Sequence, residues 1–400
     1  MARLYFQGLI VKISRIAEFV VVLGSMALPL QAAADFKVMV GIDPADDVGK
    51  QNLALGTSPT PSMSAALGTK VLLKQTSNLT DVMRASRTQE NDALIGPPHV
   101  TASAISHGYQ LLARDSRNTN FVLLARKEIK RVEDMVGKRL YLTQQDSARA
   151  YLAKGLLTEA QFDIKKFKQV VYGKTSGAGM LALGANLTDV TIAEQEEAQS
   201  WLKANPGVAT ILKSSRPVPA GTAVMVRKTL AETERKNLLK WLASADASAS
   251  GIGKLQASTS ADEEQYRYIA SLGILTPSAL PGATLVEAAD VSKLVTAGAL
   301  PVDTRTAKEF QFEHIPGAIH LPYVERSLKD RDFDASLDDF SALAKAPKDK
   351  PLIFFCNGPE CWKSYKASKM ALANGYKQVY WYRKGMPEWR EKSMPLASAQ

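Results

Sequence analysis

The chain has 400 residues, a formal net charge of +10, 46% hydrophobic and 22% charged residues, two cysteines and four histidines. At roughly 100–200 residues per domain, that length suggests two or three domains, and the apolar fraction excludes full-length disorder and a collagen-like repeat. Two cysteines exclude a disulfide scaffold, four histidines leave few metal sites, and scattered Lys and Arg without interleaved aromatics point to an anion or acidic surface rather than nucleic acid.

Leu4-Tyr5-Phe6-Gln7-Gly8 resembles the scar of a protease-cleavable tag, so residues 1–8 are set apart from the fold. Residues 9–34 read as a secretory signal: Lys12 and Arg15 are the basic region, Phe19 to Leu30 the apolar core, and Gln31-Ala32-Ala33-Ala34 the small-residue cleavage region. The core is about 12 residues, short of the ~20 that span a bilayer as a helix, so no stable membrane insertion is expected after cleavage. The expected compartment is the bacterial periplasm, whose oxidising character lets two cysteines pair.

From Asp35 short apolar runs alternate with amphipathic stretches. Phe36–Ile42, Lys70–Leu73, Ala93–Ile95, Gln110–Ala113, Phe121–Ala125, Arg139–Leu142 and Val170–Tyr172 are expected strands. Leu79–Arg87, Ala148–Lys154 and Glu194–Ala204 are expected helices. This alternation predicts α/β layers with a largely parallel sheet. Lys254–Asp262, rich in Ser, Thr and Ala, is expected to be a surface loop before a helix Glu263–Leu272. Of the net +10, +2 lies in residues 1–34, +2 after Pro281-Gly282, and +6 in the middle region, which is the better place for an anion.

Several runs of the middle region resemble periplasmic solute-binding proteins of the phosphate/phosphonate type. They are Phe36-Lys-Val-Met-Val-Gly-Ile-Asp-Pro44, Asp92-Ala-Leu-Ile-Gly-Pro-Pro98, Phe121–Arg126 followed by Ile129–Leu140, and Gln145-Asp146-Ser147-Ala148-Arg149. The resemblance implies two α/β lobes over residues 35–275, with a small anionic ligand in the cleft and an ABC permease as partner. Helix starts offer free N–H groups to an anion, which makes Ser77, Asn78 and Thr80, then Ser147, then Thr175 and Ser176 the candidate contacts; ordinary N-capping uses the same residue types. Thr175-Ser176-Gly177 departs from the family's run at that place, which puts phosphonate itself in question. Arg84, Arg87 and Arg149 could pair with an anion, but a solvated helix face is the reading preferred for each.

Residues 276–283, with two prolines, a glycine and no charge, form a linker by composition, and residues 284–400 restart the α/β alternation. Pro351-Leu-Ile-Phe-Phe355 is a strand-forming run that ends at Cys356. Asn357-Gly358-Pro359-Glu360 has turn composition, and from Cys361 or Trp362 a helix pattern runs to Asn374-Gly375. A cysteine between a strand end and a helix start faces unpaired N–H groups and the positive end of the helix dipole, which lowers a thiol pKa and stabilises a thiolate, a persulfide or an oxyanion. Lys363 and Lys366 add charge of the same sign.

The run Asp303-Thr304-Arg305, Glu309-Phe310 and His314-Ile-Pro-Gly-Ala318, with Gly375–Tyr380 and Gly385-Met-Pro-Glu-Trp389 downstream, resembles a complete single rhodanese domain. The resemblance implies a five-stranded parallel sheet and makes Cys356 the residue that accepts a sulfane sulfur as a persulfide. The active loop would span Asn357, Gly358, Pro359, Glu360, Trp362, Lys363 and Ser364, with Asp303 and Arg305 in support and His314 as a fold residue. A thiol or a protein would then accept the sulfur, with no metal or organic cofactor. The loop is two residues longer than usual and holds Cys361. Three readings stay open: a sulfurtransferase nucleophile, a reversible pair with Cys361 as resolving thiol, or a fixed structural disulfide.

Overall fold

The computed structural model describes residues 34–43, 58–145, 147–252, 255–273 and 275–399. The expected tag scar, the expected leader apart from Ala34, and Lys254 lie outside these residues. The strands in chain order begin with β1 (Phe36–Gly41), β2 (Val71–Thr76), β3 (Ala93–Gly96), β4 (Tyr109–Arg114), β5 (Asn118–Thr119) and β6 (Phe121–Arg126). They continue with β7 (Arg139–Thr143), β8 (Gln169–Gly173), β9 (Val190–Glu194), β10 (Ala209–Ser214), β11 (Val218–Pro219), β12 (Ala223–Arg227) and β13 (Gln256–Ala257).

These strands build two mixed sheets, ordered β13-β4-β12-β3-β1-β2 and β10-β6-β9-β7-β8. The expectation of a largely parallel arrangement is corrected here. β12 runs antiparallel to both β3 and β4, β13 is antiparallel to β4, and β6 is antiparallel to β9 and β10. The reason is topological: the chain leaves the first sheet after β4, builds the second, and re-enters the first as β12. The two crossings pair as a small antiparallel ribbon, β5 with β11. Beside it, the buried Arg114 guanidinium meets Asp262 at 2.7 Å and Asn118 at 3.3 Å, tying the crossing to the helix Ser260–Ser271. That helix begins three residues before the expected Glu263. Thr259 and Asp262 cap it reciprocally, which a purely compositional reading as loop overlooks.

The C-terminal part forms a third sheet from β14 (Thr284–Leu285), β15 (Leu300–Asp303), β16 (Ile319–His320), β17 (Leu352–Phe355) and β18 (Val379–Tyr382), ordered β14-β18-β17-β15-β16 and parallel throughout. β17 is central and apolar at every position because both of its faces are covered. Leu352 and Phe354 pack with Val302 and Ala371, while Ile353 and Phe355 pack with Tyr382 and Trp389 on the other side.

The segment between the parts is anchored rather than free. Leu280 is buried against Trp362, Tyr365 and Trp381. Thr276 is buried too, donating from its amide and hydroxyl to the Pro359 carbonyl at 2.9 and 3.0 Å and accepting from Arg383.

Candidate functional site

β17 ends at Phe355, so Cys356 leaves the sheet at its carboxyl edge. Two glycines make the following turn possible. Gly358 has φ of 90°, a left-handed conformation. Gly385 also has positive φ and lies directly beneath the loop, where a Cβ would collide with the Cys356 carbonyl oxygen. Met386 donates its amide to that same oxygen at 3.0 Å. The loop closes at Cys361, the N-cap of the helix Trp362–Ala373, which has no side-chain cap. Its first-turn N–H groups therefore face the loop without side-chain competition.

Cys356 and Cys361, both buried, are joined in a disulfide with Cα atoms 6.1 Å apart. Of the three readings, the free-thiol form is absent in this state, while both paired readings are compatible with it.

Supporting groups lock the loop from below. Asp303 and Arg305 form a fully buried bidentate pair, and Arg305 also donates to the Glu313 carbonyl at 2.6 Å. Thr304 donates to the Phe355 carbonyl at 3.0 Å. Glu309 is buried and accepts from the Asn357 amide at 2.6 Å. Burial pushes the Glu309 carboxyl up, but the Thr306 hydroxyl and amide, the Arg305 charge and Asn357 outweigh it and hold it below the usual carboxylate range. His314 is stacked on Phe310 and bridges by its backbone to Ala397, a fold role.

The two lysines differ. Lys366 is enclosed with Glu325 at 2.7 Å and Asp338 at 3.7 Å, so the expectation that its charge serves the cysteine is corrected. Lys363 is partly buried, with its ammonium on the Tyr323 carbonyl at 2.7 Å. Burial pulls its pKa down despite nearby Glu325 and Glu309. Ser364 is buried and accepts from the Trp381 indole at 3.1 Å.

The remaining walls come from the first lobe. Arg87, read from sequence as solvated, is buried and reaches Glu360 at 3.4 Å. Ser103 donates to the same carboxylate at 2.9 Å. His107 Nδ1 meets the Ser103 carbonyl at 2.6 Å and Nε2 the Asn357 carbonyl at 3.4 Å. Burial pushes the His107 pKa down more than Glu360 raises it. At Glu360 the His107 and Arg87 charges overcome burial and hold the carboxyl low. Lys308–Glu90 adds a contact to the first lobe, and Lys165–Asp332 at 2.5 Å and Gln145 to the Lys329 amide at 3.2 Å reach the second. Sequence reasoning missed Ser103 and His107, because nothing local marks a residue whose partner lies some 250 positions away. Glu309 was legible only as part of the family-like run, not as the partner of Asn357 48 positions on.

The binding-part candidates lie at or beside the starts of three helices. Ser77 is exposed, Asn78 caps the helix Leu79–Thr88 through Asp81, and the Thr80 side chain lies outside the described residues. Ser147 is buried, caps the helix Ala148–Glu159 and bonds Thr143 at 2.8 Å. Thr175 caps the next helix through Ala178, and Ser176 donates to Glu197 at 2.7 Å. Arg149 is not solvated either: it is buried, paired with Glu197 at 2.9 Å and Glu194 at 3.4 Å. Among the described residues there is no cluster of three or more His, Cys, Asp or Glu fit to hold a metal, and no helix is long and apolar enough to cross a membrane.

Residues 60–266 match the family of ABC transporter, phosphonate, periplasmic substrate-binding proteins, and residues 287–392 match the rhodanese-like domain. The thiosulfate sulfurtransferase GlpE of Pseudomonas savastanoi pv. phaseolicola is 34% identical over 93 residues, 23% of this chain and 74% of that protein. The HTH-type transcriptional regulator Rv0324 of Mycobacterium tuberculosis is 34% identical over 95 residues, 24% of this chain, and the chain spans only 36% of its length. Among solved structures, PhnD1 of Prochlorococcus marinus in complex with methylphosphonate is similar at TM-score 0.47 and 16% identity, covering 60% of this chain and 97% of that one. A binding component of a Pseudomonas aeruginosa ABC phosphonate transporter is similar at TM-score 0.45 and 17% identity, covering 59% and 85%.

Proposed function

We propose, for a chain that belongs to the phosphonate-type periplasmic substrate-binding family over residues 60–266 and to the rhodanese-like family over residues 287–392, that it is a periplasmic sulfurtransferase carrying sulfane sulfur on Cys356. The proposed organisation is an oxyanion-binding part over residues 35–275, a connecting segment 276–283 and the sulfur-handling part 284–400, exported by the leader and associated with an ABC permease. The observation that carries the reading is Cys356 directly after the end of a central strand, in the loop that leads to the N-terminus of the helix Trp362–Ala373, which has no side-chain cap. The similar thiosulfate sulfurtransferase supports thiosulfate as the donor class.

The chemistry begins with reduction. Two external thiols, or one dithiol, open the Cys356–Cys361 bond and leave as a disulfide, delivering two electrons and two protons to the cysteines. The Cys356 thiolate then attacks the outer sulfur of a thiosulfate dianion. The new S–S bond makes a Cys356 persulfide, and the old one breaks to release sulfite with the bonding pair. Loop amides and the helix start stabilise the persulfide anion. An acceptor thiolate takes the outer sulfur and restores the Cys356 thiolate. Cys361 serves as the resolving thiol: its sulfur attacks the inner sulfur of the Cys356 persulfide, the Cys356–Cys361 bond re-forms and the outer sulfur leaves as hydrosulfide with the bonding pair.

Assaying thiocyanate from thiosulfate and cyanide tests this. Activity should require reductant in the parent, disappear in Cys356→Ala, and appear without reductant in Cys361→Ala. A reduced parent with no activity, or an active Cys356→Ala, overturns the reading. The bonded cysteine pair favours one second reading, a docking or redox-sensing module without turnover. Intact mass after thiosulfate treatment separates them, since only a transferase gains a single sulfur on Cys356.

A further inference from the structure

A cavity of about 570 Å³ lies against the cysteine pair, within the ~300–1,000 Å³ range of small-molecule sites. One wall is the loop itself, with Cys356, Cys361 and Lys363. The opposing wall is Met83, Arg84 and Arg87, all from the first-lobe helix Leu79–Thr88 of the substrate-binding part. We propose that the two parts jointly build the sulfur-donor site, and that Arg84 and Arg87 of the binding lobe select a small oxyanion bearing a sulfane sulfur. This rests on Cys356 being the sulfur carrier.

Three observations carry it. The contact between the parts is built in: Glu360 has only 16% of its side chain exposed and is met at once by Arg87, Ser103 and, electrostatically, His107. The lobe therefore defines the conformation of the loop that would hold the persulfide. Next, Arg87 is not used up by Glu360, because its buried Nε has no hydrogen-bond partner. A buried donor without a partner costs free energy that an anion oxygen recovers. Finally, Lys363 lines the same cavity with its ammonium on the Tyr323 carbonyl and over the Tyr323 ring. With Arg84, Arg87 and Lys329 it makes four cations against the carboxylates of Glu325, Asp339 and Glu360, so an anion held on the Arg84 and Lys363 side meets an excess of positive charge. Arg84, paired only one helical turn away with Asp81 at 2.9 Å, is the part of this wall that can be changed without disturbing the Glu360 contact.

The test uses the full chain, reduced, as parent, Arg84→Ala and Arg84→Lys. Arg84→Ala should raise the thiosulfate KM about tenfold with kcat within about twofold, as expected for one lost charge, and Arg84→Lys should restore most of it. Sulfate, which has no sulfane sulfur, should slow alkylation of the reduced cysteines in the parent. Arg84→Ala should need about ten times more sulfate for the same protection. An unchanged KM and unchanged sulfate protection in Arg84→Ala overturn the shared site while leaving Cys356 chemistry standing. A parent with no turnover at all but with sulfate protection that depends on Arg84 overturns the sulfur-transfer reading and keeps the anion site.

Discussion

Replacing Glu360 by Gln removes one charge from the contact between the two parts and keeps its shape. The carboxylate stands 3.4 Å from Arg87 and 2.9 Å from the Ser103 hydroxyl. At an effective dielectric of ~20 the attraction to Arg87 alone is about 5 kcal/mol before desolvation is counted. Removing one partner of such a pair costs ~3–5 kcal/mol, because the other charge is left buried. The glutamine oxygen still accepts from Ser103, which recovers about 1 kcal/mol. We therefore expect a net loss of about 2–4 kcal/mol, a roughly 30- to 900-fold shift in the equilibrium. Denaturant unfolding of the disulfide-intact chain reads the cost, and a double-mutant cycle with Arg87→Met isolates the pair. Since Arg87→Met also removes the orphaned cation, the double variant should be more stable than Glu360→Gln alone. A cost below about 0.5 kcal/mol with no coupling in the cycle refutes the contact and the shared cavity with it.

Acid should loosen the same contact. The His107 pKa is lowered in the fold, so below about pH 6.5 the unfolded chain binds more protons and stability falls as pH falls. Glu360, also lowered, adds a loss of the same sign further into acid. Unfolding measured between pH 7 and 5 should show this slope, and His107→Gln should flatten its upper portion. Gly385→Ala should destabilise the chain by at least about 2 kcal/mol, through positive φ and the collision with the Cys356 carbonyl, and thermal unfolding would register it. Cys361→Ser should cost about 2 kcal/mol relative to the oxidised parent, the entropy of closing a short loop, and nothing relative to the reduced parent.

Local signals carried far into this fold. The Leu-Ile-Phe-Phe run of β17 and the helix that begins at Trp362 were readable because each depends on neighbours within one turn or one strand. The Asp303–Arg305 pair was readable for the same reason, its partners lying two residues apart. What escaped depends on partners remote in sequence. The antiparallel return of β12 follows from a second sheet being built in between. Arg87 and Arg149 look like solvent-facing charges until Glu360, and Glu194 with Glu197, are brought to them. Ser147, Thr175 and Ser176 were legible as helix starts, yet caps and ligand contacts call on the same atoms, so sequence cannot separate the two uses.

The buried Leu280 and Thr276 bear on where the chain can be cut. A fragment beginning at Thr284 would keep every strand of the third sheet but strip the cover from Trp362, Tyr365 and Trp381, and would release Pro359 from Thr276. Such a piece would present a fresh aromatic patch to solvent, and its solubility would say more about the missing eight residues than about the sheet. A fragment starting at Thr276, eight residues longer, carries its own cover, and is the length to express when the sulfur chemistry is studied apart from the lobes.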